Sequence, residues 1–149
     1  MKRYLMPLLL AAALFTPALA QEEGMSKAEA AKMEREEKKA AYEWIKQEMN
    51  TLRKTTSLLK KIKNEKTVKS SLKEIQSMYG LGGGKTAMGE AAPASKPEGD
   101  AYLEQEAKNA TVMKKIRKEL KAEIDRVKAL ELGNDDLDSA LEWLEENRL

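Results

Sequence analysis

The stretch from Tyr42 to Tyr79, YEWIKQEMNTLRKTTSLLKKIKNEKTVKSSLKEIQSMY, decides the fold. Its apolar residues fall at Tyr42, Ile45, Met49, Leu52, Leu59, Ile62, Val68, Leu72, Ile75 and Tyr79. Steps of three and four place them on one face of an α-helix, and no strand-like alternation competes. Neither Pro nor Gly interrupts the chain from Ser26 to Tyr79. The stretch therefore reads as one continuous helix more readily than as two. Taken from Ser26 it would span ~80 Å, at ~1.5 Å rise per residue. Two places weaken it. Thr55-Thr56-Ser57 carries hydroxyls that compete for backbone bonds, and Lys63-Asn64-Glu65-Lys66 shifts the phase of the stripe.

Upstream, Ser26-Lys27-Ala28-Glu29 has the form of a capping box. Residues 21–41 make a charged helical extension with no large branched apolar residue to bury. Downstream, residues 80–100 hold six of the eight Gly and two of the four Pro, a composition expected to stay flexible. A second amphipathic helix is expected over 101–132, capped by Asp100. Its stripe would be Leu103, Ala107, Ala110, Met113, Ile116, Leu120, Ile124, Val127 and Leu130. Gly133 should stop it. Asn134 should cap a short acidic helix over 134–148, whose buried face is Leu137, Ala140, Leu141 and Leu144. The expected fold is all-α: a long antiparallel helical hairpin, a short third C-terminal helix, and a flexible Gly/Pro/Ala linker.

Composition narrows function. The 149 residues contain no Cys and no His, so disulfides and Cys- or Ser-His nucleophilic schemes are excluded. A zinc site loses its two favoured ligand types. Carboxylates are abundant, but a narrow helical hairpin offers few shielded clefts for acid–base work, so no catalytic residues and no enzyme activity are expected. Gly80 to Thr86 imitates a phosphate loop but misses its spacing by one residue, because Tyr79 stands where the first Gly belongs. Asn134, Asp136, Asp138 and Glu145 imitate a calcium loop, yet Ser139 occupies the position that requires Gly. No cofactor and no metal are expected. Asn109-Ala110-Thr111 matches a glycosylation acceptor by chance inside a helix.

The first twenty residues read as a cleaved export signal. Lys2 and Arg3 precede an apolar run from Leu5 to Phe15, and Ala18-Leu19-Ala20 supplies small residues for cleavage. That run is too short to span a bilayer, and no later run is long enough. The mature protein is expected to be periplasmic or secreted. Losing Lys2 and Arg3 takes the formal charge from +2 to zero, leaving charge segregated along the chain.

Two surfaces are candidates. One is apolar, comprising Tyr42, Trp44, Ile45, Met49, Leu52, Leu59 and Ile62. It would receive another envelope protein or a second copy, because one short third helix cannot cover the whole stripe. The other is basic. Eight Lys and Arg lie between Arg53 and Lys73 with Glu65 as the only acid, and Lys60, Lys61, Lys63, Lys66 and Lys69 are its candidate anion-binding residues. An anionic lipid or polysaccharide surface would suit it. The acidic third helix would neutralise it if the two packed together. No aromatics interleave the run as base-stacking would require, so nucleic acid is not expected. In size, export, absence of Cys and mixed basic and apolar helical surfaces, the chain resembles the small helical chaperones of the bacterial periplasm. That resemblance covers architecture, without their motifs, and implies shielding of client proteins.

Overall fold

The computed structural model describes residue 24, residues 26–81 and residues 96–149. The expected export signal and the central part of the linker lie outside the described residues. Four helices follow in order: α1 (Lys27–Lys61), α2 (Glu65–Tyr79), α3 (Asp100–Lys128) and α4 (Asp135–Arg148). Among the described residues there is no strand, so the all-α expectation holds.

The 42–79 stretch is not one helix. It breaks at Ile62–Asn64, the second of the two weak points. Asn64 accepts from the Thr67 backbone N–H, and the Thr67 hydroxyl accepts in return from the backbone N–H groups of Asn64 and Lys63. This reciprocal cap starts a new helix where the stripe changes phase. Arg126 of α3 secures the other side by donating to the carbonyls of Leu59 at 2.7 Å and Ile62 at 3.0 Å. Thr55-Thr56 does not break α1. Both hydroxyls turn back to the carbonyls four residues earlier, Thr51 and Leu52, and leave the backbone ladder intact.

The break sets the topology. α2 folds back on α1, with Lys54 near Glu74 and the Thr55 hydroxyl 2.7 Å from that of Tyr79. The antiparallel hairpin therefore forms within the 42–79 stretch itself. α3 runs alongside α1 in the same direction: Tyr102 packs on Ala41 and Ile45, and Arg126 reaches Leu59 and Ile62. α4 turns back along α3, placing Glu145 against Lys121 and Lys128, and lies beside α2, with the Tyr79 ring centre 5.1 Å from that of Trp143 at a 45° tilt. Around the bundle the order is α1, α2, α4, α3.

Two rows with coiled-coil spacing form the α1–α3 seam. On α1 the row is Ala41, Ile45, Glu48, Leu52, Thr55, Leu59 and Ile62. On α3 it is Tyr102, Glu106, Asn109, Met113, Ile116, Leu120, Glu123 and Val127. The main core joins Leu52, Leu59, Ile62, Val68, Ile75, Ile116, Leu120 and Ile124 to Leu137, Leu141 and Leu144 of α4. A satellite cluster of Ala41, Ile45 and Tyr102 closes the lower end.

Three expectations for the second half are corrected. α3 ends at Lys128, with Ala129 as its cap, short of the expected residue 132. The chain needs those extra residues to reverse direction, using left-handed conformations at Glu131 and Gly133. The α3 cap is Gly99, not Asp100, and no side chain serves it. Leu103 is 58% exposed, and Ala107 and Ala110 also face outward. The neighbouring row headed by Tyr102 is the one buried, because small Ala41 leaves room for its ring and the Trp44 edge meets it at 5.5 Å. The expected Asn134 cap on α4 is present, accepting from the Leu137 backbone N–H.

Candidate functional site

Of the apolar candidates, Ile45, Leu52, Leu59 and Ile62 are fully buried among α2, α3 and α4 and are not a surface in this fold. Folding α2 back onto α1 covers the face that a continuous helix would have left bare. Met49 and Trp44 are partly buried against the satellite cluster. Tyr42 alone remains open, at 47% exposure, with the Lys46 ammonium near its ring.

The basic candidates occupy the α1–α2 turn and its flanks. Lys60 and Lys61 end α1, Lys63 lies in the break, and Lys66 and Lys69 rise along α2. All five are exposed. Val68, Ser71, Leu72 and Ile75 form the buried side of α2. At ~100° per residue, Lys66, Lys69 and Lys73 project from the opposite side. Lys60 and Lys61 also sit at the negative end of the α1 dipole, which offsets part of their mutual repulsion.

The acidic helix does not neutralise these lysines by direct pairing. Its Glu145 is held by Lys128 at 2.6 Å and Lys121 at 2.9 Å, both on α3. Bonds from those ammonium groups, Lys128 first, hold the Glu145 carboxyl down to about 2. Of the eight cations between Arg53 and Lys73, Lys54 makes the single ion pair among the described residues, to Glu74 at 4.0 Å. α4 meets α2 beyond the basic run, with Asp136 and Ser139 beside Gln76. The first turn of α4 keeps Asp135, Asp136 and Asp138 at its own N-terminus, where the dipole favours them.

A second feature was not read from the sequence. Where the C-terminal turn of α4 meets α1 and α3, a cleft of about 530 Å³ opens, lined by Trp44, Tyr102, Met113, Arg117 and Arg148 among others. Arg148 is fixed there. Its Nη1 donates to Glu48 at 3.3 Å, and its guanidinium lies 4.9 Å from the Tyr79 ring centre and 5.4 Å from that of Trp143. The Tyr79 hydroxyl, bonded to Thr55, has its pKa pushed up by burial. Tyr102 donates to Glu106, and its pKa also rises, through burial first and that carboxylate second. The sequence signal for this cleft was weak: Trp44 and Trp143 on the flanks of their stripes, and one Arg at the end of an acidic helix.

No group of side chains suited to a metal ion occurs among the described residues, and no described helix is long and apolar enough to cross a membrane. No protein-family model, curated protein or solved structure matches the chain.

Proposed function

We propose that this is an exported helical protein that docks on anionic lipid surfaces through its α1–α2 turn. One observation carries this reading: Lys60, Lys61, Lys63, Lys66 and Lys69 are exposed and make no ion pair among the described residues, while Glu145 of the acidic helix is engaged by α3. The apolar alternative has lost most of its surface to the core. A turn flanked by long flexible lysines, none of which lines the cleft at Arg148, suits a flat and diffuse charge layer better than a ligand needing fixed geometry. The long aliphatic stems let each ammonium adjust its height against headgroups.

Each lysine near such a surface contributes ~1 kcal/mol at modest ionic strength, so five supply on the order of a thousandfold in partitioning. The test is co-sedimentation of the protein with vesicles rich in phosphatidylserine or phosphatidylglycerol, at low and high salt. Pelleting should be salt-sensitive. It should vanish when all five lysines are changed to Gln, and be absent with vesicles of phosphatidylcholine alone. Equal pelleting by the five-fold variant would refute the reading.

A protein-partner reading retains one feature. The segment from Lys27 to Ala40 is exposed along its length and projects beyond the bundle. Deleting it should abolish self-association or partner capture if that reading is correct, and leave vesicle binding unchanged.

A further inference from the structure

We propose that the cleft at Arg148 binds a small organic anion with a planar or apolar body. This does not rest on the lipid-surface reading. The cleft lies beside Ile45 and Glu48, and the basic turn beside Ile62, ~26 Å away along α1.

Charge comes first. Lys96, Lys114, Arg117 and Arg148 line the cleft against the carboxylates of Glu48 and Glu106, leaving an excess of positive side chains. Lys114 and Arg117 sit one helical turn apart and have no acidic partner among the described residues. Both carboxylates are already in use: Glu106 accepts from the Tyr102 hydroxyl, and Glu48 makes one contact with Arg148 Nη1.

The geometry of Arg148 sharpens the case. A guanidinium offers an anion two parallel N–H donors along one edge. Glu48 takes only Nη1. On the side edge, Nη2 has no acceptor among the described residues, and Nε is buried without one. Nε is closed off from solvent, so the donor of this edge that an anionic oxygen entering the cleft can meet is Nη2. The Tyr79 and Trp143 rings hold the group in place before any ligand arrives, so little side-chain entropy remains to be lost on binding.

Shape supplies the rest of the ligand. Trp44 and Tyr102 meet edge to face at 76°, Met113 and Ile45 add apolar lining, and the Lys96 ammonium lies 4.6 Å from the Tyr102 ring centre. At about 530 Å³ the cleft falls within the range of small-molecule sites. A carboxylate, sulfonate or phosphate ester would seat on Arg148 with Arg117 and Lys114 above it. An aromatic or short aliphatic body would lie against Trp44 and Met113.

The probe is 1-anilinonaphthalene-8-sulfonate, titrated into the full chain and followed by its fluorescence and by quenching of tryptophan emission. Its uncharged analogue, N-phenyl-1-naphthylamine, is the control. One saturable site is expected for the sulfonate, with the neutral analogue at least tenfold weaker. The Lys114→Gln/Arg117→Gln pair changes two exposed helix positions with no ion pair to lose, and should weaken the sulfonate at least tenfold. Met113→Trp should block the cleft. Changing the five lysines of the basic turn to Gln should leave binding unchanged. The proposal is overturned if the neutral analogue binds as tightly as the sulfonate, or if the Lys114/Arg117 variant binds like the wild type. It is also overturned if the basic-turn variant is the one that loses the site, or if no saturable site is found.

Discussion

The break at Ile62–Asn64 is held from two sides, and removing both should change the oligomeric state of the protein. Arg126 donates two charge-assisted bonds to the carbonyls of Leu59 and Ile62, and its Nε is engaged by Glu123 at 2.7 Å. Bonds from a charged donor are worth ~1.5–3 kcal/mol each. The Arg126 side chain is 38% exposed, so the lower end applies. Arg126→Ala is thus expected to cost ~3 kcal/mol, with a small further loss from removing a cation at a helix C-terminus. Arg126→Lys keeps the charge but loses the fork that spans two carbonyls, and should recover less than half. Asn64→Ala removes the α2 cap at a cost of ~1 kcal/mol. In the double variant an alternative becomes accessible. With Ala at position 64 the backbone can run on as the long helix the stripe invites, which exposes Val68, Leu72 and Ile75 of α2. A second copy exchanging its own α2 is what can cover them, so the double variant should dimerise by domain swapping. Urea unfolding followed by circular dichroism measures the single variants, and size-exclusion chromatography with light scattering measures the double. A loss under ~0.5 kcal/mol for Arg126→Ala would refute the reasoning, given typical values for such bonds. So would a double variant that stays monomeric with strictly additive losses.

Two further predictions concern pH. The Glu145 carboxyl is held down to about 2 from an ordinary 4.5, so it binds protons less readily folded than unfolded. Its stabilisation is present above the ordinary value and is lost as pH falls through that window. Thermal unfolding should show Glu145→Gln less stable at neutral pH, with a shallower fall in Tm on acidification. Identical acid slopes would argue against the pairing with Lys128 and Lys121. Tyr79 behaves in the opposite sense: burial raises its pKa, so its contribution is complete below pH ~10 and declines as the unfolded chain ionises first. Tyr79→Phe should cost ~1 kcal/mol at neutral pH through the lost Thr55 bond and flatten the alkaline decline in urea titrations.

The helical content, the Ser26 and Asn134 caps and the buried face of α4 were legible because each depends on residues within one or two turns. The break was visible only as a phase shift at Lys63–Lys66. Whether a phase shift bends a helix or ends it depends here on Arg126, which lies 64 residues beyond Ile62. That one distant donor turned an expected single helix into a hairpin and converted a candidate surface into core. The first three positions of the α3 stripe were misplaced by one residue for a related reason, while Ile116, Leu120, Ile124 and Val127 are buried as expected. Leu103 and Tyr102 head competing rows, and the choice between them is made by the space above Ala41 on α1. The lysines of the basic turn were legible as a charge run. What the sequence left open was where the acids of α4 go, since that required knowing α4 lies beside α3 and the far end of α2.

Those distant choices meet at the polar positions of the α1–α3 seam. A seam of Ile and Leu alone would let two parallel helices pair in several registers, or with other copies of themselves. Here three polar members of the rows each have a partner on another side chain, while Asn109 turns back to the Gln105 carbonyl of its own helix. Thr55 meets Tyr79 of α2, Glu48 meets Arg148 of α4, and Glu123 holds the Arg126 that ends α1. Sliding α3 along α1 by one heptad would carry Arg126 away from the carbonyls of Leu59 and Ile62. Sliding α4 would carry Arg148 away from Glu48. Leaving either charge without its partner carries a desolvation penalty, reduced by the 38% exposure of the Arg126 side chain and the 25% exposure of that of Arg148. Mispairing thus adds to the preference for this register. Arg148 is the incomplete member of the set. Its guanidinium is fixed by two rings and one carboxylate, yet one donor edge lacks an acceptor, and that edge belongs to the residue lining the cleft. A group retained for register alone would be expected to have all its donors satisfied, as Arg126 nearly does. The accessible Nη2, which has no acceptor among the described residues, is what separates Arg148 from Arg126, whose two terminal nitrogens both have one.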